Sequence, residues 1–123
     1  MNIFPSVNIY GKEMEMCCEN PMTGFFRNGM CDTCVEDRGV HTVCILATEE
    51  FLIYSKSVGN DLSTPHLDFD FPGVKPGDRW CLCALRWKEA YEAGKAPPVY
   101  LESTHQNTLK FIDVNILQQF AVN

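Results

Sequence analysis

Hydrophobic positions along this chain fall into short regular blocks after residue 40 and into none before it. His41-Thr-Val-Cys-Ile-Leu-Ala47 is apolar and β-branched, the pattern of a buried strand. Thr48 stands where a helix N-cap is expected, and Glu49 and Glu50 follow where the helix dipole favours acids. Phe51, Leu52, Ser55 and Val58 continue a helical stripe that Gly59 stops. Trp80-Cys-Leu-Cys-Ala84 predicts a second strand, and a helix then runs through Trp87, Ala90 and Tyr91 to Gly94. Pro97-Pro98 breaks that helix. Val99-Tyr-Leu-Glu-Ser103 predicts a third strand and Leu109-Lys-Phe-Ile112 a short fourth. Asp113 caps a last helix through Ile116, Leu117 and Phe120.

The segment up to Gly39 reads as loop. Asn20-Pro21, Thr23-Gly24 and Asn28-Gly29 are turn signals, and Phe25-Phe26-Arg27 before Asn28-Gly29 suggests one arm of a hairpin. Asn60 to Pro76 is a second long polar connection, of a length that is often functional in a small domain. Strands alternating with helices favour a mixed layer. The expectation is one domain over residues 1–123, α+β or α/β. It has a small mixed sheet of three to five strands, about three helices and a loop-rich N-terminal third.

Composition narrows the function classes. A hydrophobic fraction of 46% supplies a core without requiring disulfide staples. The net charge is −6, and the basic residues are scattered from Lys12 to Lys110, so neither nucleic acid nor an anionic membrane is an expected partner. Met1-Asn-Ile-Phe-Pro-Ser-Val-Asn8 lacks the charged and apolar regions of a secretory signal. No apolar run approaches the roughly 18 residues of a membrane span. The expected address is therefore the cytoplasm, where thiols stay reduced.

Cysteine is the feature that stands apart. There are seven: Cys17-Cys18, Cys31-x-x-Cys34, Cys81-x-Cys83 and an isolated Cys44. An odd count fits reduced thiols better than a closed disulfide framework. Cys31-x-x-Cys34 has the spacing of half a zinc knuckle or of a redox pair, but neither context surrounds it. Cys81 and Cys83, two apart on a strand, share one face and stand too far apart to bond each other. They either face a metal or pocket together or line the core.

His41 and Cys44 are three apart on a strand and face opposite sides. His105 lies at a strand end, where α/β sheets bind ligands; otherwise it serves a capping turn. His66 reads as solvated. Asn60, Asp61, Ser63 and Thr64 either bind a ligand or tie the long loop to its own backbone. Asp78, Arg79 and Arg86 flank the second strand, and Arg86 either clamps an anion or pairs with Asp78 or Asp61. No serine-hydrolase elbow, phosphate loop or metalloprotease helix is present.

Several runs are distinctive together: Pro21-Met-Thr-Gly-Phe-Phe-Arg-Asn-Gly29, Glu36-Asp-Arg-Gly-Val-His-Thr-Val-Cys44, Gly59-Asn-Asp-Leu-Ser-Thr-Pro65, Phe71 through Trp87, Ala96-Pro-Pro-Val99 and Thr104-His105. In these the chain resembles the bacterial proteins grouped as domain of unknown function 2237, from about residue 8 to the end. The resemblance brings no activity with it. It implies that Cys17, Cys31, Cys44, Cys81 and Cys83 belong to the family pattern. Cys18 and Cys34 would be local additions, where serine-like residues and glycine are the rule.

The leading expectation is a domain that binds a small molecule or a metal, zinc or another soft ion, in a cysteine-lined polar pocket. Its metal ligands would come from Cys17, Cys31, Cys81, Cys83 and His105. Its small-molecule contacts would come from Arg27, Asp37, Asn60, Asp61, Asp78 and Arg86. The enzyme alternative takes Cys31, Cys81 or Cys83 as nucleophile and His41 or His105 as base. A third reading keeps the thiols buried and inert.

Overall fold

Strand β1 (His41–Leu46) carries a run of buried residues, Thr42 to Ile45, because it is covered on both faces and along both edges. The structure, a computed structural model, describes residues 3–122. Strand β2 (Arg79–Cys83) pairs with β1 antiparallel, placing Cys44 opposite Cys81 and Ile45 opposite Trp80. The register slips between His41 and Val43, so His41 rather than Thr42 stands opposite Cys83. A bulge of this kind re-aims side chains and bends the strand end.

The helices follow the capping signals. Helix α1 (Glu49–Ser57) starts on Thr48, whose hydroxyl accepts the Phe51 N–H at 3.1 Å. Helix α2 (Ala84–Glu92) begins directly after β2, with Cys83 as its N-cap residue and no side chain capping the first turn. Helix α3 (Val114–Gln119) starts on Asp113, which accepts the Asn115 N–H at 2.7 Å. One apolar core joins them: Val43 and Ile45 of β1, Phe51 of α1, Leu82 of β2, Trp87 of α2 and Leu117 of α3 are all buried. Trp87 stacks on Tyr91, meets Phe120 edge-on at 5.3 Å, and donates its indole N–H to the Pro97 carbonyl at 3.1 Å.

The sheet is smaller than the pattern predicts. Among the described residues only β1 and β2 form a regular ladder, not three to five strands. The third expected strand runs beside β1, with Leu46 N–H to Pro98 O at 2.9 Å and Tyr100 N–H to Cys44 O at 2.8 Å. Val99 makes only isolated bridges, to Ile45 and Ala121. Pro97 and Pro98 have no N–H to give a ladder, and Leu101–Ser103 turns into a 3₁₀ helix. The fourth expected strand is taken up by the end of another 3₁₀ turn, Gln106–Lys110, and the turn and bend at Phe111 and Ile112.

The N-terminal third forms no hairpin at Asn28-Gly29. Arg27 N–H returns to Gly24 O, and Gly29 N–H to Thr23 O, both at 3.0 Å, making a compact run of turns. That run is attached to the sheet by covalent bonds. Cys17 is bonded to Cys44, and Cys31 to Cys81, with Cα separations of 5.8 and 5.3 Å. The expectation of wholly reduced thiols gives way here: two disulfides and three free cysteines coexist. An odd count marks one cysteine as unpaired but does not exclude pairing among the rest.

Candidate functional site

The cysteines divide into two places. Cys17, Cys31, Cys44 and Cys81 pack together in a buried cluster edged by Met14, Met30 and Tyr100. The sulfurs of Cys17, Cys31 and Cys81 lie within 4.8 Å of one another, so the two disulfides are neighbours. Cys44 and Cys81 belong there because they are ladder partners on adjacent strands. Backbone anchors hold the rest in place: Cys17 N–H bonds Gly29 O, and the Thr23 hydroxyl accepts the Cys81 N–H, each at 2.8 Å.

Cys83 lies elsewhere. It is half-buried, free, and lines a cavity of about 390 Å³ between the N-terminal turns, the ladder end and α2. Cys81 and Cys83 therefore share no pocket, against the expectation from strand spacing. The disulfide takes Cys81 into the sulfur cluster, while Cys83 ends the strand and opens a helix.

The cavity is built from four parts of the chain. The turns contribute Phe25 and Arg27, the bulged strand end His41, the long loop Asn60, and the β2–α2 junction Cys83 and Arg86. Among the described residues no carboxylate lines it, although the protein as a whole carries a net charge of −6. Its volume falls in the range of small-molecule sites.

His41 is positioned by Asp37. The Asp37 carboxylate is only 2% exposed and accepts three hydrogen bonds. These come from the Thr33 hydroxyl at 3.0 Å, the His41 backbone N–H at 2.9 Å and the His41 ring Nδ1 at 2.7 Å. A carboxylate at Nδ1 makes that nitrogen the donor and leaves Nε2 as the basic atom. The ring itself stays 41% exposed and reaches the cavity. Gly39 lies flat beneath it: a Cβ there would come within 2.6 Å of the ring Cε1. Phe25 stacks near its other side, with centroids 6.3 Å apart.

Two residues around this cavity hold left-handed backbone without being glycine. Arg27 has φ of 54° and Val40, immediately before His41, has φ of 51°. A β-branched residue in that region is strained, and such strain collects at functional sites. Arg27 places its guanidinium 5.2 Å from the Trp80 ring centroid and bonds Gly24 O. Arg86 bonds Val58 O and Glu89, both at 3.2 Å, rather than Asp78 or Asp61.

The remaining expected site residues have structural partners. His105 is fully buried; its Nε2 bonds Pro5 O at 2.8 Å and its Nδ1 accepts the Asn107 N–H at 3.0 Å. Both ring nitrogens are thus occupied, and burial pushes its pKa below the ordinary value of 6.5. Asp61 accepts the Ser63 and Thr64 N–H groups and the Thr64 hydroxyl, and that hydroxyl bond holds its pKa below 3.8. Asp78 accepts the Lys75 N–H at 2.8 Å and closes the turn before β2. Cys31 and Cys81 are in disulfides and carry no free thiol. Phe25 and Gly39 went unremarked as site residues, as did the pairing of Asp37 with His41. The two are four residues apart across a turn into β1, a spacing that signals a side-chain pair only within a helix.

Residues 7–121 match the family described as "Uncharacterized protein conserved in bacteria (DUF2237)". The chain belongs to this family. The match takes in both the sulfur cluster and every residue of the DUF2237 cavity described above. No curated protein matches the chain. Among the described residues, no helix is long and apolar enough to cross a membrane.

Proposed function

We propose that this DUF2237 protein performs thiol chemistry on a small anionic molecule, with Cys83 as nucleophile. The observation that carries the reading is the placement of His41. It stands opposite Cys83 in the ladder while its Nδ1 is held by buried Asp37. Residues directly opposite in an antiparallel pair bring their Cβ atoms to about 5 Å, within reach for a thiol and an imidazole.

The roles follow from the chemistry. Nε2 of His41 accepts the Cys83 thiol proton, and Asp37 fixes the ring and stabilises the imidazolium that results. The first turn of α2 has no side-chain cap; Ala84 N–H is taken by the Val40 carbonyl at 2.9 Å, and the N–H groups that follow it are left for an anion formed beside Cys83. Arg27 and Arg86 bring two guanidiniums to the cavity wall, Arg86 shared with Glu89 outside it at 3.2 Å, which favours a carboxylate or phosphate group on the ligand. Small-molecule binding and thiol chemistry thus fall in one place, and His105, Asp61 and Asp78 have no part in it.

The test is alkylation with two reagents of like size and different charge. Site-resolved rates at Cys83 are measured with iodoacetate and with neutral iodoacetamide. The reading expects the iodoacetate-to-iodoacetamide ratio to exceed that of free cysteine, and to fall in Arg86→Gln. A ratio equal to that of free cysteine in the wild-type chain would remove the anion site from the account.

A further inference from the structure

The sulfur cluster sits in a surrounding that two neutral disulfides leave unbalanced. Four sulfurs converge from two loop cysteines, Cys17 and Cys31, and two ladder partners, Cys44 and Cys81. Those of Cys17, Cys31 and Cys81 lie within 4.8 Å of one another, and Cys44 is bonded to Cys17. Four thiolates at about 2.3 Å from a tetrahedral zinc lie about 3.8 Å apart. Parting the two S–S bonds therefore leaves three ligands already grouped and a fourth, Cys44, that has to turn from Cys17 toward the other two to enclose one ion.

A cation waits beside the cluster. Arg79 is two residues before Cys81 on β2, so the two side chains leave the strand on the same face. Its guanidinium lies 3.6 Å from the ring centroid of Tyr100, which packs on the sulfurs. Its Nε is buried without a hydrogen-bond partner, and no carboxylate of the described residues pairs with it. Arg79 as a whole is half-buried, but a buried donor left without an acceptor is costly. Two disulfides offer it nothing, whereas four thiolates on one Zn²⁺ carry a net charge of −2.

We propose that reduction converts the two disulfides into a tetrahedral tetrathiolate site for Zn²⁺, made by Cys17, Cys31, Cys44 and Cys81. The set includes Cys44 and excludes Cys83 and His105. The conversion balances as follows. Two equivalents of a dithiol reductant give four electrons and four protons, making four thiols. Zinc binding then releases the thiol protons. In the other direction, two equivalents of hydrogen peroxide and four protons take four electrons from the thiolates. Two disulfides form, the zinc leaves, and four waters are made. The ion replaces the covalent link between the N-terminal turns and the sheet, so either state ties them together.

The test uses the full chain, reduced with a phosphine without oxygen, freed of reductant and titrated with Co²⁺. The expected result is one Co²⁺ per chain, with the visible bands of a tetrahedral site and intense thiolate charge-transfer absorption, displaced by equimolar Zn²⁺. Cys83→Ser keeps that spectrum. Cys44→Ser and Cys31→Ser each lose part of the charge-transfer intensity and weaken binding by roughly tenfold or more, since even outer-shell changes cost that much. Hydrogen peroxide releases the metal and lowers the protein mass by that of four hydrogens. An octahedral spectrum or no binding by the reduced wild-type chain would overturn the proposal. Loss of the tetrahedral bands in Cys83→Ser, or full retention in Cys44→Ser, would do the same.

Discussion

His41 and Cys83 stand opposite each other at the bulged end of the β1–β2 ladder, and the bulge is what brings them there. Without the extra residue, Thr42 would take that place. Thr42 instead turns its hydroxyl to Thr108 at 2.8 Å in the interior. A single irregularity of the strand thus separates a structural threonine from a histidine that lines one cavity with a free thiol.

Gly39 tests how strictly that histidine is held. A Cβ at this position would approach the ring Cε1 to 2.6 Å and Nδ1 to 3.2 Å, so the imidazole has to move. Gly39→Ala is expected to slow alkylation of Cys83 severalfold and to destabilise by about 1–3 kcal/mol, since moving the ring takes a hydrogen bond from buried Asp37. Thermal unfolding and site-resolved alkylation of the same preparation check both halves.

The disulfides give a stability prediction. Each ties the N-terminal turns to a strand, across sequence separations of 27 and 50 residues. Replacing Cys17 and Cys44 together by alanine is expected to cost about 2–5 kcal/mol in oxidising buffer. Urea unfolding of oxidised wild type and variant measures it. A midpoint unchanged by the double substitution would mean that the turns need no tether.

His105 sets a pH dependence. Burial lowers its pKa in the folded protein from 6.5, with the Pro5 carbonyl opposing in part; the charge of Asp32 raises it and that of Lys110 lowers it. Unfolded chains then bind more protons, so stability rises with pH in this window. The contribution is present above pH 6.5 and is lost as pH falls toward the depressed value. Urea midpoints for wild type are expected to drop between pH 7.5 and pH 5 more than those for His105→Gln.

Trp87 anchors the core. It is fully buried between Tyr91 and Phe120 and satisfies the Pro97 carbonyl. Trp87→Ala is expected to destabilise by about 3–5 kcal/mol through the cavity it leaves. Calorimetric unfolding shows whether it does.

Local signals were legible in the sequence wherever one residue decides a local geometry. Thr48 and Asp113 announce helix starts because a side-chain oxygen there meets a backbone N–H two or three residues on. Val99 to Ser103 misled because its β-branched and aromatic residues fit a strand, while Pro98 and the turn at Leu101–Ser103 deny it a full ladder. The resemblance separated the five pattern cysteines from Cys18 and Cys34, and the structure leaves both of those outside the cluster and the cavity. Sorting the five further needed the third dimension. Spacing put Cys81 and Cys83 on one face, but Cys81 is bonded to Cys31 in the sulfur cluster, while Cys83, at the start of α2, lines the cavity with His41. His105 looked like a ligand from its place after a strand, yet its ring is held between the distant Pro5 carbonyl and the nearby Asn107 N–H.

The central claim is that His41, held by Asp37, activates Cys83. The rate of Cys83 alkylation by iodoacetate at pH 7 tests it most directly, in wild type, His41→Ala and Asp37→Asn, with free cysteine as the standard. The account predicts that wild type reacts at least about tenfold faster than free cysteine, that His41→Ala falls to the free-cysteine rate, and that Asp37→Asn lies between them. A wild-type rate no greater than that of free cysteine, or one unchanged by His41→Ala, would contradict it.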